Sequence, residues 1–289
     1  LILLFLAPIL GYFFLTDKTA RTASLSFLQR AYQYDSAISP FKNEPGYWQS
    51  YCHFWQFALA ALAKIDVWLG RISEQHIVHT GCVSFTDLIA EGKGGLLVAS
   101  HLGNTEVCRA LAKTKYNTRI NVLVFTQHAA AFNKALKKLN QQMDMDLIQV
   151  SHFSPELTML LKERVDQGEF VVIVGDRISV TSPERAVWAD FLGHPAPFAI
   201  GPWVLASVLE CPVSLLFCIK TNGHYQLSFE PFAQQIVIPR KTRQQDLQLI
   251  VQNYAAALAA KASRYPLQWF NFYDFWRMPA INQHKDQKE

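Results

Sequence analysis

Charge is scarce in this sequence. Only 17% of its 289 residues are Asp, Glu, Lys or Arg, against roughly a quarter in a typical soluble domain, while half are hydrophobic. So much apolar surface needs a large core, a membrane or a lipid substrate to cover it. The net charge of +4 is modest and forms no basic stripe, which argues against nucleic-acid binding and suits a surface facing anionic lipid headgroups. The five cysteines (Cys52, Cys82, Cys108, Cys211, Cys218) include no C-x-x-C pair. That excludes a disulfide framework or a zinc site and points to reduced core residues in a cytosolic compartment. There is no G-x-S-x-G elbow, which disfavours an α/β-hydrolase, and neither a P-loop nor a G-x-G-x-x-G follows a strand-like run, so nucleotide binding has no basis. His53, His79 and His152 lack ligand spacing and read as ordinary loop or core histidines. No metal and no cofactor are expected. Internal repeats are absent too.

Aromatic side chains are plentiful, with 20 Phe, 10 Tyr and 7 Trp, as suits acyl tunnels and membrane interfaces. Leu1 to Thr16 carries no charge and is followed by Asp17, Lys18 and Arg21. A spanning helix needs about 20 apolar residues, so this stretch reads either as part of a span continued upstream or as an interfacial helix. No basic leader or small-residue cleavage site marks it as a signal peptide. Thr19 to Tyr34 is amphipathic, and after Pro40, Pro45 and Gly46 a second helix is expected from Tyr47 to Leu69, apolar on more than one face. Residues 1–70 thus form a helical, membrane-associated arm.

From about residue 76 the rhythm changes. Short apolar runs at Gly95–Ser100, Ile120–Phe125, Leu147–Val150 and Phe170–Gly175 alternate with helical stretches at Asn104–Lys115, Ala129–Gln142 and Pro155–Gln167, the pattern of βαβ units. Asn222-Gly223 marks a hairpin between Val213–Lys220 and His224–Glu230, and Arg243 to Arg264 reads as a closing helix. The expected fold is α/β, a mostly parallel central sheet flanked by helices over residues 71–281, with a polar tail at 282–289.

The stretch that carries chemistry is GGLLVASHLGNTEVCR, Gly94 to Arg109. A buried strand running to Ser100 puts His101 and Gly103 on its carboxyl-end loop, where open α/β sheets bind ligands. The helix starting near Asn104 adds free N–H groups and a positive dipole end. His101 and Glu106 stand five apart, so the first helical turn brings the carboxylate toward the imidazole. A carboxylate on one ring nitrogen fixes the tautomer and makes the other nitrogen a better base toward a hydroxyl. Gly103 permits the tight turn. The same spacing also arises from a solvated loop histidine beside a glutamate that the helix dipole favours, and strand–loop–helix context shifts the balance toward function. Cys108 points to another helix face and is set aside as a nucleophile.

His-x4-Glu after a strand, preceded by Gly-Gly and apolar residues, resembles the first motif of the glycerolipid and lysophospholipid acyltransferases. More closely, the chain resembles the late acyltransferases of lipid A biosynthesis, the lauroyl/myristoyl transferase branch. YFFLTDKTARTASLSFLQR near the start is similar to that branch's arm. Phe170–Val180 (FVVIVGDRISV) resembles its later strand ending in an acidic and a basic residue, here Asp176 and Arg177. Trp188–Pro202, the proline-led run Pro212–Phe217 and the closing QWFNFYDFW (Gln268–Trp276) follow in the branch's order. One departure stands at Phe125-Thr126-Gln127-His128, where the branch has an Arg-containing motif. The nearest positive charges there are Lys134, Lys137 and Lys138, and a different acceptor fits as well as a phosphorylated one.

The resemblance implies an O-acyltransferase of lipid biosynthesis at the cytoplasmic face of an inner membrane. A fatty acyl chain would pass from acyl carrier protein or coenzyme A to a hydroxyl of a lipid or glycolipid, with His101 as general base and Glu106 orienting it. Gly103, Asn104, Asp176, Arg177, Lys134 and Lys137 are the expected substrate contacts, Arg177 through bidentate bonds to phosphate. A catalytically silent lipid-binding scaffold and a lipid hydrolase using the same pair are the alternatives. Acceptor, chain length, donor carrier and oligomeric state are open.

Overall fold

The alternation of apolar runs and helices is realised, in a computed structural model, as a seven-stranded sheet. The structure describes residues 2–69, 71–72, 74–80, 89–90, 92–105, 107, 118–124, 146–150, 154–178 and 185–278. Along the chain the sheet strands are β1 (Ile77–Thr80), β2 (Gly95–Gly103), β3 (Ile120–Val124), β4 (Asp146–Gln149), β5 (Phe170–Val174), and, after a hairpin formed by β6 (Ala186–Phe191) and β7 (His194–Ala199), β8 (Val213–Thr221) and β9 (His224–Ala233). Their spatial order is β1-β9-β8-β2-β5-β3-β4. β9 turns back antiparallel on β8 and β1 lies parallel to β9, and every other neighbour pair is parallel.

The central strands are apolar on both faces, and strand alternation deals their side chains to two cores. Leu96 and Val98 of β2, Val171 and Ile173 of β5, and Leu215 and Phe217 of β8 face one cluster. Leu97, Ala99, Phe170, Val172, Leu216 and Cys218 face the other. The first cluster is closed by α4 (Pro155–Asp166), α5 (Gly201–Leu209), α6 (Arg243–Arg264) and the β6–β7 hairpin. Ser154 starts α4 by accepting the Leu157 N–H at 3.2 Å, with Pro155 in the first turn, a cap readable from sequence.

The amino-terminal arm consists of α1 (Ile2–Thr16), α2 (Lys18–Tyr34) and α3 (Tyr47–Trp68). Asp17 caps α2 through the Ala20 N–H at 2.9 Å, and Arg21 reaches back to the Phe14 and Leu15 carbonyls at the end of α1. No described helix is long and apolar enough to cross a membrane. The expected arm has its helices, therefore, but no span among the described residues. α2 inserts Phe27, Leu28 and Ala31 into the first core cluster, so the arm is packed against the sheet domain. α1 and α3 leave Ile9, Tyr12, Phe13, Leu15, Tyr47 and Trp48 exposed.

Several sequence expectations change. The strand expected to stop at Ser100 continues to Gly103, because its register against β8 shifts between Ala99 and Gly103 and the carboxyl-terminal segment lies alongside it. Leu102 bridges Trp269, and the Phe270 N–H donates to the His101 carbonyl at 2.9 Å. His101 therefore stands at the strand end and not on a loop. β1 and the β6–β7 hairpin were not foreseen. The hairpin turns at Leu192 and Gly193, both at positive φ (55° and 77°), and leucine there gives no turn signal of the Asn-Gly kind. The hairpin at Asn222-Gly223 and the helix Arg243–Arg264 are found as expected. The expected helices at 104–115 and 129–142 and the tail at 282–289 lie, wholly or mostly, outside the described residues.

Inside the arm three buried polar side chains meet: Ser24 of α2 with Ser50 and His53 of α3. The Ser50 hydroxyl donates to Ser24 Oγ at 2.9 Å, Ser24 Oγ lies 3.0 Å from His53 Nδ1, and His53 Nε2 lies 2.9 Å from the Trp269 carbonyl. Burial lowers the His53 pKa to about 3, against a smaller raising effect of the Trp269 carbonyl. The folded protein thus keeps this ring neutral at a pH where the unfolded chain, with an ordinary histidine near 6.5, takes up a proton. Unfolding is then favoured as pH falls from about 6.5 toward 3, by up to about 1.4 kcal/mol per pH unit from this group. Urea unfolding of the wild type and His53→Gln between pH 4 and 6 is expected to show the variant's stability falling less steeply with acidification, by close to that slope.

Candidate active site

The site is assembled where β2 and β5 end side by side. The strand pairing that sets Ala99 opposite Val174 brings the next residues of β2, Ser100 and His101, beside Gly175 and Asp176. His101 is partly exposed, whereas Asp176 has no exposed surface. The Asp176 carboxylate takes the His101 ring at Nδ1 (2.8 Å to Oδ1) and the His101 backbone N–H (2.8 Å to Oδ2). Oδ2 also accepts the Trp269 indole N–H at 2.8 Å and a longer contact from Asn271 Nδ2 at 3.4 Å.

A buried carboxylate without partners would take up a proton. Burial pushes the Asp176 pKa upward, but the His101 charge and the hydrogen bonds from His101 and Trp269 outweigh it, and the pKa lies below the ordinary carboxylate value. The ionised Asp176 can only accept. Nδ1 of His101 must therefore carry a proton, and whenever the ring is neutral its lone pair is on Nε2. Nε2 makes no hydrogen bond among the described residues. The geometry is that of a histidine base whose tautomer is set by a carboxylate on its far side.

Gly103 follows at φ 78°. A Cβ there would lie 1.9 Å from the Cys218 carbonyl oxygen, so this close approach between β2 and β8 requires glycine. The next N–H, of Asn104, donates to that same carbonyl at 2.8 Å. Asn104 is buried. Its Nδ2 points toward the Ala60 carbonyl of α3 at 3.5 Å, and its Oδ1 has no partner among the described residues. The Tyr225 phenol is pushed up to about 12 by burial. Arg177 is exposed beside the buried carboxylate. Its Nε donates to Asn271 Oδ1 at 3.4 Å and its guanidinium lies over the Tyr273 ring, 5.5 Å from the centroid.

Of the residues singled out from sequence, the fold brings His101, Gly103, Asn104, Asp176 and Arg177 to one end of the sheet. Glu106, Lys134 and Lys137, with Phe125 to His128, lie outside the described residues. The sequence reading counted Asp176 as a substrate contact, and in the structure its carboxylate oxygens face His101, Trp269 and Asn271. Trp269 and Asn271 were not foreseen as site residues. The aromatic run around them read as packing, which Trp269 and Phe275 also are, and nothing in the sequence marks the indole N–H as a donor to a residue 93 positions away. Among the described residues no group of His, Cys, Asp and Glu is arranged to hold a metal ion.

Gly103→Ala forces a side chain into a left-handed backbone and against a carbonyl. It is expected to cost about 2 kcal/mol or more of unfolding free energy, measured by chemical denaturation, and to shift the end of β2 that carries His101.

No curated protein matches the chain. A family does, over residues 49–278, a stretch that includes all but the first two residues of α3, the whole sheet and the aromatic segment carrying Trp269 and Asn271. The carboxylate-held histidine at the end of β2 thus falls inside the matched stretch, and the chain belongs to the bacterial lipid A biosynthesis acyltransferases.

Proposed function

We propose that the protein transfers a fatty acyl chain from an acyl thioester to a hydroxyl of a lipid or glycolipid acceptor, with His101 as general base and Asp176 as the residue that orients it. The observation that carries this reading is the pairing of His101 Nδ1 with a buried, ionised Asp176, in a chain of an acyltransferase family. Nε2 would take the acceptor's hydroxyl proton as its oxygen attacks the thioester carbonyl. A carbon–oxygen bond forms, the tetrahedral intermediate collapses, the carbon–sulfur bond breaks, and the imidazolium returns the proton to the leaving thiolate. Transfer is direct, with no acyl-enzyme.

The imidazolium formed midway is stabilised by the Asp176 charge, as a general acid–base partner requires. Arg177, an exposed cation next to the carboxylate, suits a phosphate on donor or acceptor. Glu106, five residues after His101 in the sequence, is kept as the candidate second carboxylate of the reaction. The donor carrier is acyl carrier protein or coenzyme A. Work at the cytoplasmic face of a membrane fits the exposed apolar side chains of α1 and α3, which would lie in the headgroup region, since Tyr and Trp suit that depth.

The test is mass spectrometry of the purified protein with long-chain acyl carrier protein or acyl-coenzyme A and a membrane lipid extract. A new acylated lipid is expected from the wild type and none from His101→Ala. Free fatty acid without an acylated acceptor would replace transfer by hydrolysis, and no turnover with co-purifying lipid would replace it by lipid binding. Asp176→Asn keeps the shape but no longer fixes the tautomer, and is expected to lower kcat about 10²-fold or more. A kcat within a few-fold of wild type would remove Asp176 from the role given to it.

A further inference from the structure

Trp269 has two polar ends, and they face in different directions. Its indole N–H donates to Asp176 Oδ2 at 2.8 Å. Its carbonyl lies 2.9 Å from His53 Nε2 in the amino-terminal arm. A carbonyl only accepts, so Nε2 carries the hydrogen. His53 is fully buried and neutral, so Nδ1 carries none and accepts the Ser24 hydroxyl at 3.0 Å. Ser24 accepts in turn from Ser50 at 2.9 Å. Every proton in the line is thereby assigned, from Ser50 through Ser24 and His53 to Trp269, Asp176 and His101. The arm grips the same indole by packing too: the Phe27 ring of α2 lies 4.6 Å from it, centroid to centroid.

The carboxylate needs this grip. Oδ1 serves His101 Nδ1, and rotation of the carboxyl group is opposed at Oδ2 by the His101 backbone N–H, the indole and a 3.4 Å contact from Asn271. The backbone N–H belongs to the residue being oriented, so it moves with it. Of the other two, the indole is the shorter contact, and its place is set by the backbone of residue 269. The carbonyl of that residue meets His53 Nε2 at 2.9 Å and the Asn271 N–H at 3.0 Å, and the residue bridges Leu102; His53 is the one of these that comes from the arm. Ser24, the donor that fixes the His53 tautomer, lies before the stretch that matches the family.

We propose that His53 is a positioning residue for acyl transfer: acting through Trp269, it fixes the Asp176 carboxylate and with it the Nδ1–H tautomer of His101. The arm is then part of the catalytic apparatus, because the proton position on the base depends on a contact made from α3. This rests on His101 acting as the base, and the experiment separates the two ideas.

Imidazole ¹⁵N spectra of the substrate-free protein, with the His101 signal assigned by its loss in His101→Gln, report the tautomer without any reaction. In the wild type His101 is expected as the Nδ1–H form. His53→Leu is expected to convert it to a mixture, and to lower kcat for acyl transfer by about tenfold to a hundredfold, the scale of a misplacement transmitted from outside the reacting groups, with KM for the donor within twofold. His53→Gln, which can still donate to the Trp269 carbonyl and accept from Ser24, is expected to restore both. Trp269→Phe, which deletes the indole N–H and keeps an aromatic ring, is expected to give the same mixture and serves where His53→Leu does not fold. An unchanged His101 tautomer in the folded His53→Leu or Trp269→Phe protein would overturn the proposal, as would equal loss in His53→Leu and His53→Gln. A tautomer change with no acyl transfer by the wild type would leave the positioning line standing and remove the reaction assigned to it.

Discussion

Among the described residues the fold holds one negative charge where no water reaches it, and the site is built around that fact. A carboxylate such as Asp176, with no exposed surface, stays ionised only if several donors converge on it. Here the charge and its donors come from three remote parts of the chain. The His101 ring and backbone come from the end of β2, the carboxylate from the end of β5, and the indole of Trp269 from the carboxyl-terminal segment. Meeting that electrostatic demand orients the imidazole, so stabilising the buried charge and preparing the base are a single arrangement.

Parallel pairing of β2 with β5 is what makes the meeting possible. Parallel neighbours end at the same edge of a sheet, so His101 and Asp176 emerge together although 75 positions separate them. The carboxyl-terminal segment is stitched to that edge at several points. Gln268 exchanges two hydrogen bonds with the Lys220 backbone, Leu102 bridges Trp269, and Phe270 bonds to the His101 carbonyl. Around the indole, Phe27, Phe191 and Phe275 sit at ring separations of 4.6 to 5.2 Å, a packing that restrains its donor. The arm reaches the same residue from the other side through His53, which lies among Phe270, Phe272 and Phe27.

Much of the architecture was legible beforehand because it depends on local pattern. Continuous apolar runs of strand length mark strands covered on both faces, and β2, β3, β5 and β8 are such runs. Asn222-Gly223 specifies its hairpin through backbone preference alone. The elements that escaped notice lack such cues. β1 is four residues long, and the β6–β7 hairpin turns through a leucine at positive φ into a second strand that opens with His194, Pro195 and Pro197. The end of β2 was misjudged because a strand continued by a bulge and a partner from the far terminus has no sequence signal within its own window.

The sequence by itself determined that His101 lies at the carboxyl end of a buried strand's run in an α/β sheet, one residue past where the run was read to stop, that the chain has the ordered motifs of an acyltransferase family, and that an aromatic segment closes it. Those properties follow from periodicity, from spacing and from residue type within short windows. It could name a carboxylate five residues from His101 because nearness along the chain is readable. Only the tertiary structure decided that Asp176 lies against Nδ1, that Trp269 spends its indole N–H on that carboxylate, and that His53 holds Trp269 from the arm. Hydrogen-bond partners across the ends of parallel strands are chosen by strand order and register, which are global outcomes of packing two apolar layers on one sheet, and no local stretch of sequence encodes them.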